Sequence, residues 1–319
     1  MATTKAAAER LHGVSQTSLN ACPLGHAMEH FMSKVWLVTG SASGLGRDIV
    51  EAACAAGHKV LATARNTAPL AELCDRYGAN ILTTQLDVTD EAQAEASVAL
   101  AVEHFGRLDV LVNNAGYGDV RPFEETSSSD FKTLVDTVFY GVINLTRAAL
   151  PVMRTQRSGT IMQISSVGGR IGTPGSASYH AAKWAVSGFT ESLAQETAPF
   201  GVKVVALEPA AIRTNWGTRA TRQRPAMLPD YELSVGAAIK SMEGLWGNEP
   251  IDPARIAQIV LCLADAERVP AHLLIGSSAR DYYAMVEGHR SSEAELWRDV
   301  SNSADFGAGS MPPVPAVSA

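Results

Sequence analysis

Val35-Trp36-Leu37-Val38-Thr39-Gly40-Ser41-Ala42-Ser43-Gly44-Leu45-Gly46-Arg47-Asp48-Ile49-Val50 carries the decisive signal of this 319-residue chain. A short run of branched and apolar residues with no strict alternation looks like a strand covered on both faces. Three glycines follow, and then a helical run through Ala53. Gly40, Gly44 and Gly46 let the backbone turn tightly and approach a ligand. The helix start behind them offers free N–H donors and a positive dipole end to a pyrophosphate. Their spacing is GxxxGxG, not the GxGxxG of the common dinucleotide fingerprint.

Outward from this unit the pattern repeats. Further strands are expected at Val60–Ala64, Ile81–Leu86, Val110–Val112, Thr160–Ile164, Val204–Leu207 and Leu273–Ile275. Helix-like stretches lie between them. From Asp90 to Phe105, for example, Ala94, Val98, Leu100 or Ala101, and Phe105 recur at helical spacing and Asp90 can cap the start. The expected class is α/β, a doubly wound parallel sheet with helices on both faces and a ligand crevice at the carboxyl ends of the strands. Residues 1–31 read as a flexible extension, 32–303 as one domain with a substrate lid at about 212–250, and the Gly/Pro-rich 304–319 as a disordered tail.

With 46% apolar residues the chain can bury a full core. Its formal charge is −7, from 33 acidic and 26 basic residues, and it has no long basic block, which argues against nucleic acid as a partner. No apolar run reaches membrane-spanning length and no signal peptide is recognisable, so a cytoplasmic location is expected. Cys22, Cys54, Cys74 and Cys262 lack ligand or framework spacing and read as unbridged thiols, and no metal is expected.

After the second strand Arg65 stands where a carboxylate would grip a ribose hydroxyl. A guanidinium there suits a 2′-phosphate, which favours NADP over NAD; the alternative is a solvated loop position. Asp87, at the end of the third strand, is placed to accept from an adenine amine. In Ser178-Tyr179-His180-Ala181-Ala182-Lys183 the phenol and the ammonium lie four residues apart and share a helix face. A free phenol titrates at about 10, and a neighbouring cation favours the phenolate. Ser166, thirteen residues before Tyr179 at a strand end, can hold a carbonyl oxygen beside that phenol. His180 is read as structural.

These motifs together resemble the short-chain dehydrogenase/reductase family in its single-domain branch. The matching features are the Thr39–Gly46 loop, Asn113-Asn114-Ala115-Gly116, Ser166, the Tyr179/Lys183 pair, and Pro209 with Thr214; they span roughly 33 to 300. The resemblance implies a Rossmann-type, seven-stranded sheet in the order 3-2-1-4-5-6-7 and hydride transfer between NADP(H) and a carbonyl or secondary alcohol. It makes Tyr179 the acid/base, Ser166 the carbonyl holder, and Lys183 the group that binds the nicotinamide ribose and lowers the tyrosine pKa. Cofactor contacts are implied for Gly40, Ser43, Gly44, Leu45, Gly46, Arg65, Asp87, Val88, Asn114, Ala115, Gly116, Tyr179, Lys183, Pro209, Ala210, Ile212 and Thr214. Asn113 would brace the central strand, and Thr214 would touch the carboxamide. A homodimer or homotetramer joined through the helices near Phe131–Met153 and Tyr179–Pro199 is implied as well.

Two departures stand out. The family places asparagine, part of a water relay to the lysine, where this chain has Val138, and it prefers glycine where this chain has Ala210. Another group could substitute for that asparagine; Asn144 is two turns away from the required place. Tyr117, Phe123, Met162, Trp216, Met227, Leu228, Tyr231, Met242, Leu245 and Trp246 are candidates to line a pocket for a medium or bulky apolar substrate, or to pack helices. The competing readings are a nucleotide-binding regulatory protein with weak turnover, for which Val138 is the argument, and an epimerase or dehydratase.

Overall fold

Leu37, Leu61, Leu111, Ile161 and Val204 stand side by side across five neighbouring strands, and this row shows how the chain folds. In the computed structural model, which describes residues 33–221, 227–307 and 309–315, the strands are β1 Val35–Thr39, β2 Lys59–Ala64, β3 Ile81–Gln85, β4 Val110–Asn113, β5 Gly159–Ile164, β6 Val202–Pro209 and β7 His272–Ile275. They form one parallel sheet in the order β3-β2-β1-β4-β5-β6-β7. Each expected strand is present, most of them a residue or two longer. β6 gains the most, because Lys203 passes through it on an apolar stem and carries its ammonium to the Ala266 carbonyl.

The helices are α1 Gly44–Ala55, α2 Ala71–Tyr77, α3 Glu91–Phe105, α4 Ser128–Val135, α5 Gly141–Gln156, α6 Ala177–Thr197, α7 Trp216–Ala220, α8 Ala237–Glu243, α9 Pro253–Asp265, α10 Ser277–Leu296 and α11 Arg298–Asn302. Asp90 caps α3 as expected, accepting from the Gln93 N–H at 3.1 Å. Strand residues alternate between two cores. Leu37, Leu61, Leu111 and Ile161 pack under α3, α5 and α6, while Trp36, Val38, Val60 and Val112 pack under α1, α2 and α9. Fully burying each such side chain is worth roughly 1.5–3 kcal/mol. Among the described residues no helix is long and apolar enough to cross a membrane.

One expectation is corrected at this level. Met162 is fully buried between the sheet and α1/α9, so it lines no pocket. Cys54 and Cys74 are free thiols, the first buried and the second half-buried. The expected extension over 1–31 lies outside the described residues, as do lid residues 222–226 and tail residues 308 and 316–319.

Candidate active site

The carboxyl ends of β1, β2, β4, β5 and β6 carry the expected site. At the end of β1, Gly40 and Gly44 adopt positive φ (68° and 58°), conformations that side chains disfavour. A Cβ on Gly46 would lie 2.4 Å from the Asn114 Nδ2 and 2.5 Å from the Gly40 oxygen. That glycine is therefore fixed by close approach of backbone. Asn114 fastens the loop, its Nδ2 donating to the Thr39 oxygen at 2.9 Å, and Thr39 Oγ1 accepts from the Asn114 and Ala115 N–H groups at 2.9 and 3.0 Å. Ser43 stands at the start of α1 and makes no side-chain cap, leaving the first-turn N–H groups to a ligand.

A cleft of about 480 Å³ opens in front of that helix start, lined by Ser43, Gly44, Asp48, Thr214, Thr218 and Arg219 among others. Thr214 faces Gly44 across it: a Cβ built on Gly44 would be 3.9 Å from the threonine. Arg219 Nη1 reaches Ser43 Oγ at 3.5 Å. No motif flagged Arg219, which sits on a helix of five residues, too short to show a period. Burial, then the charges of Glu51 and Asp252, push the Asp48 carboxyl up.

Of the other expected cofactor contacts, Arg65 is exposed just past β2. Asp87 accepts from Thr89 N–H and Oγ1–H at 3.0 and 2.8 Å. Val88 is buried and its carbonyl takes the Asn144 amide at 3.0 Å, so Asn144 is committed there and does not stand in at the Val138 position. Ile212 forms a bridge with Ile251, and Ala210 is not among the residues at positive φ, so alanine is tolerated after Pro209. Asn113 is buried and braces β4, its Nδ2 donating to Gln163 Oε1 at 2.8 Å and to Thr146 Oγ1 at 3.1 Å.

Ser166, Tyr179 and Lys183 come together where β5 ends and α6 begins. Ser166 Oγ accepts from the Gly168 N–H at 3.0 Å, donates to the Pro209 carbonyl at 3.5 Å, and hydrogen-bonds the Tyr179 phenol. Lys183 Nζ donates to the Ile164 carbonyl at 2.6 Å and lies 5.8 Å from the centroid of the Tyr179 ring. Burial pushes the phenol up to about 12, opposed by the Ser166 hydrogen bond, and pushes the ammonium down to about 8. The causes of the phenol's shift are burial and the Ser166 hydrogen bond; the charge of Lys183 is not among them. Leu134, Val138 and Ala182 form the apolar cluster against which the ring packs.

Val138 is buried in a π-helical turn, Asp136–Tyr140, and a Cβ on Gly116 would be 3.7 Å from its Cγ2. On the other side the Trp216 ring stands 5.3 Å from that of Tyr179 and presses on Gly118, where a Cβ would be 2.1 Å away. Trp216, Met227, Tyr231 and Met242 pack around Val120, Ala220, Val235 and Ile239 in a cluster separate from the two cores. Phe123, Leu228 and Leu245 are exposed.

The profile of the short chain dehydrogenase family matches residues 34–225. Oxidoreductase BOA17 of Botryotinia fuckeliana is 42% identical over 271 residues, covering 85% of this chain and 98% of that protein. A short-chain dehydrogenase structure from Streptomyces avermitilis superposes with a TM-score of 0.80 at 40% identity, covering 86% of this chain and all of that one. A short chain dehydrogenase/reductase from Burkholderia phymatum, solved in complex with NAD, has a TM-score of 0.72 at 25% identity, covering 83% and 97%.

Proposed function

The chain belongs to the short-chain dehydrogenase family and is an oxidoreductase, and from that premise we propose that it reduces a carbonyl, or oxidises the matching secondary alcohol, of a medium or bulky apolar substrate with NADP(H). The observation that carries this reading is the meeting of Ser166 and Lys183 at the Tyr179 phenol. A nicotinamide cofactor fits the site, because the uncapped start of α1 and the crowded Gly40–Gly46 turn form a phosphate cradle. Gly40, Gly44, Gly46, Asn114 to Gly116 and Thr214 would hold it, with Lys183 at the ribose. When bound it exchanges a hydride with the carbonyl carbon.

The protein's own part is the proton. A phenol held near 12 is protonated at neutral pH, the form that donates to a carbonyl oxygen as negative charge develops there. Ser166 holds the same oxygen, with its hydroxyl oriented by the Gly168 N–H. Lys183, next to the phenol, returns the proton. With valine at 138, that return takes place without an asparagine side chain at this position.

Arg65 supports NADP over NAD by its charge and exposure beyond β2. The test is NADPH oxidation against a panel of ketones and aldehydes, with Tyr179→Phe in parallel. Loss of the hydroxyl should lower kcat by roughly 10²–10⁴-fold; full turnover by the phenylalanine variant would remove Tyr179 from the chemistry. Arg65→Ala should weaken NADP binding about tenfold or more while leaving NAD nearly unchanged, measured by titration of each nucleotide.

A further inference from the structure

Helix α6 presents two adjacent stripes to the end of β5. Tyr179 and Lys183 form the first. His180 and Trp184, one residue further round, form the second, and both of them hold the segment that begins at Ser166. The Thr173 N–H donates to His180 Nε2 at 3.1 Å, which makes Nε2 the acceptor and puts the ring proton on Nδ1. That Nδ1–H donates to the Gly168 carbonyl at 2.7 Å, and the Thr173 hydroxyl meets Nε2 at 2.8 Å. One turn on, Trp184 Nε1 donates to the Ile171 carbonyl at 3.0 Å.

Gly168 links this stripe to the chemistry. Its carbonyl is held by His180 while its N–H donates to Ser166 Oγ at 3.0 Å. A Cβ there would lie 2.9 Å from the imidazole Cε1 and Nδ1 and 3.3 Å from Ser166 Oγ. The residue is therefore pressed between ring and hydroxyl, and only glycine transmits the contact without displacement. With one lone pair engaged by the Gly168 N–H, the serine hydroxyl keeps its proton for donation, and that proton, held by the Pro209 carbonyl only at 3.5 Å, can turn to a substrate oxygen.

We propose that His180 is a positioning residue for the carbonyl chemistry: as the Nδ1–H tautomer it fixes Gly168 and so aims the Ser166 hydroxyl at the oxygen that Tyr179 protonates. The inference rests on the reductase reading above. With a ketone that the wild-type protein reduces, His180→Ala should lower kcat roughly 10- to 100-fold. KM and the NADPH dissociation constant, read by nucleotide fluorescence, should change little. His180→Asn, whose amide can still donate to the Gly168 carbonyl, should recover part of the rate, and His180→Phe should not. In a Ser166→Ala background the alanine change at 180 should cost less than about twofold, because its effect passes through the missing hydroxyl.

Equal losses in both backgrounds, or a phenylalanine variant as active as the asparagine one, would overturn the role. So would an Nε2–H tautomer of His180 in ¹⁵N NMR of the wild-type protein, a readout independent of turnover. Wild-type inactivity across the whole carbonyl panel would instead sink the reductase reading, with the tautomer measurement still deciding whether the clamp exists.

Discussion

At Tyr179 and Lys183, burial opposes the charge of both partners, and the neutral forms gain. The residue types and their four-residue spacing are legible in the sequence, as is Ser166 at a strand end. The direction of the phenol's shift is not, because it depends on Leu134 and Val138, brought against the ring from a distant helix. Spacing reveals the cation but not the apolar side chains around it. The same burial sets the pH dependence. If Lys183 returns protons as an ammonium, reduction should decline with rising pH through an inflection near 8, well before the phenol itself titrates near 12. Lys183→Arg, which stays charged over this range, should lack that inflection even if slower overall; steady-state pH profiles of the two proteins check it.

Elements are legible in the sequence wherever they are long. Strand β1 has the expected bounds, β3 stops a residue short and the other strands are extended at their ends, since both-face burial marks their apolar centres and only pairing marks their ends. The segment expected as a lid is less legible. Its described residues include five-residue α7, a 3-10 turn at Pro229–Tyr231, a π-helical turn and seven-residue α8, each too short for a hydrophobic period. Of the side chains assigned to it or its neighbourhood, some fill a small cluster of their own and Met162 belongs to the core. Trp216 has a more direct place, with its ring 5.3 Å from that of Tyr179 and its edge on Gly118. Trp216→Ala should open this wall, raising kcat/KM for bulky ketones relative to small ones by at least about tenfold; competition assays with paired substrates measure the ratio.

At the scale of the molecule, one buried carboxylate ties β6 to β7, to α6 and to the turn beyond β5. Glu208 at the end of β6 is fully buried, accepts from Ser187 Oγ at 3.2 Å, and pairs with Arg170 at 3.4 Å and with His272 Nδ1 at 2.8 Å. The Glu208 hydrogen bond raises the His272 pKa above its usual value. A histidine raised in the folded state adds stability that is fully present below its unfolded pKa, about 6.5, and lost as pH rises through the folded one. His272→Gln should therefore destabilise most on the acid side, the gap to wild type closing as pH rises; urea unfolding at a series of pH values reads it.

Arg170 also donates to the Tyr283 hydroxyl at 2.9 Å, and Arg290 donates to the Arg170 carbonyl at 2.7 Å while lying over Trp184. Helix α10 thereby buttresses the turn that follows Ser166. On the reductase reading, a protein shortened ahead of Ser277 should still take up dinucleotide yet lose the backing of this turn, and with it most of its turnover.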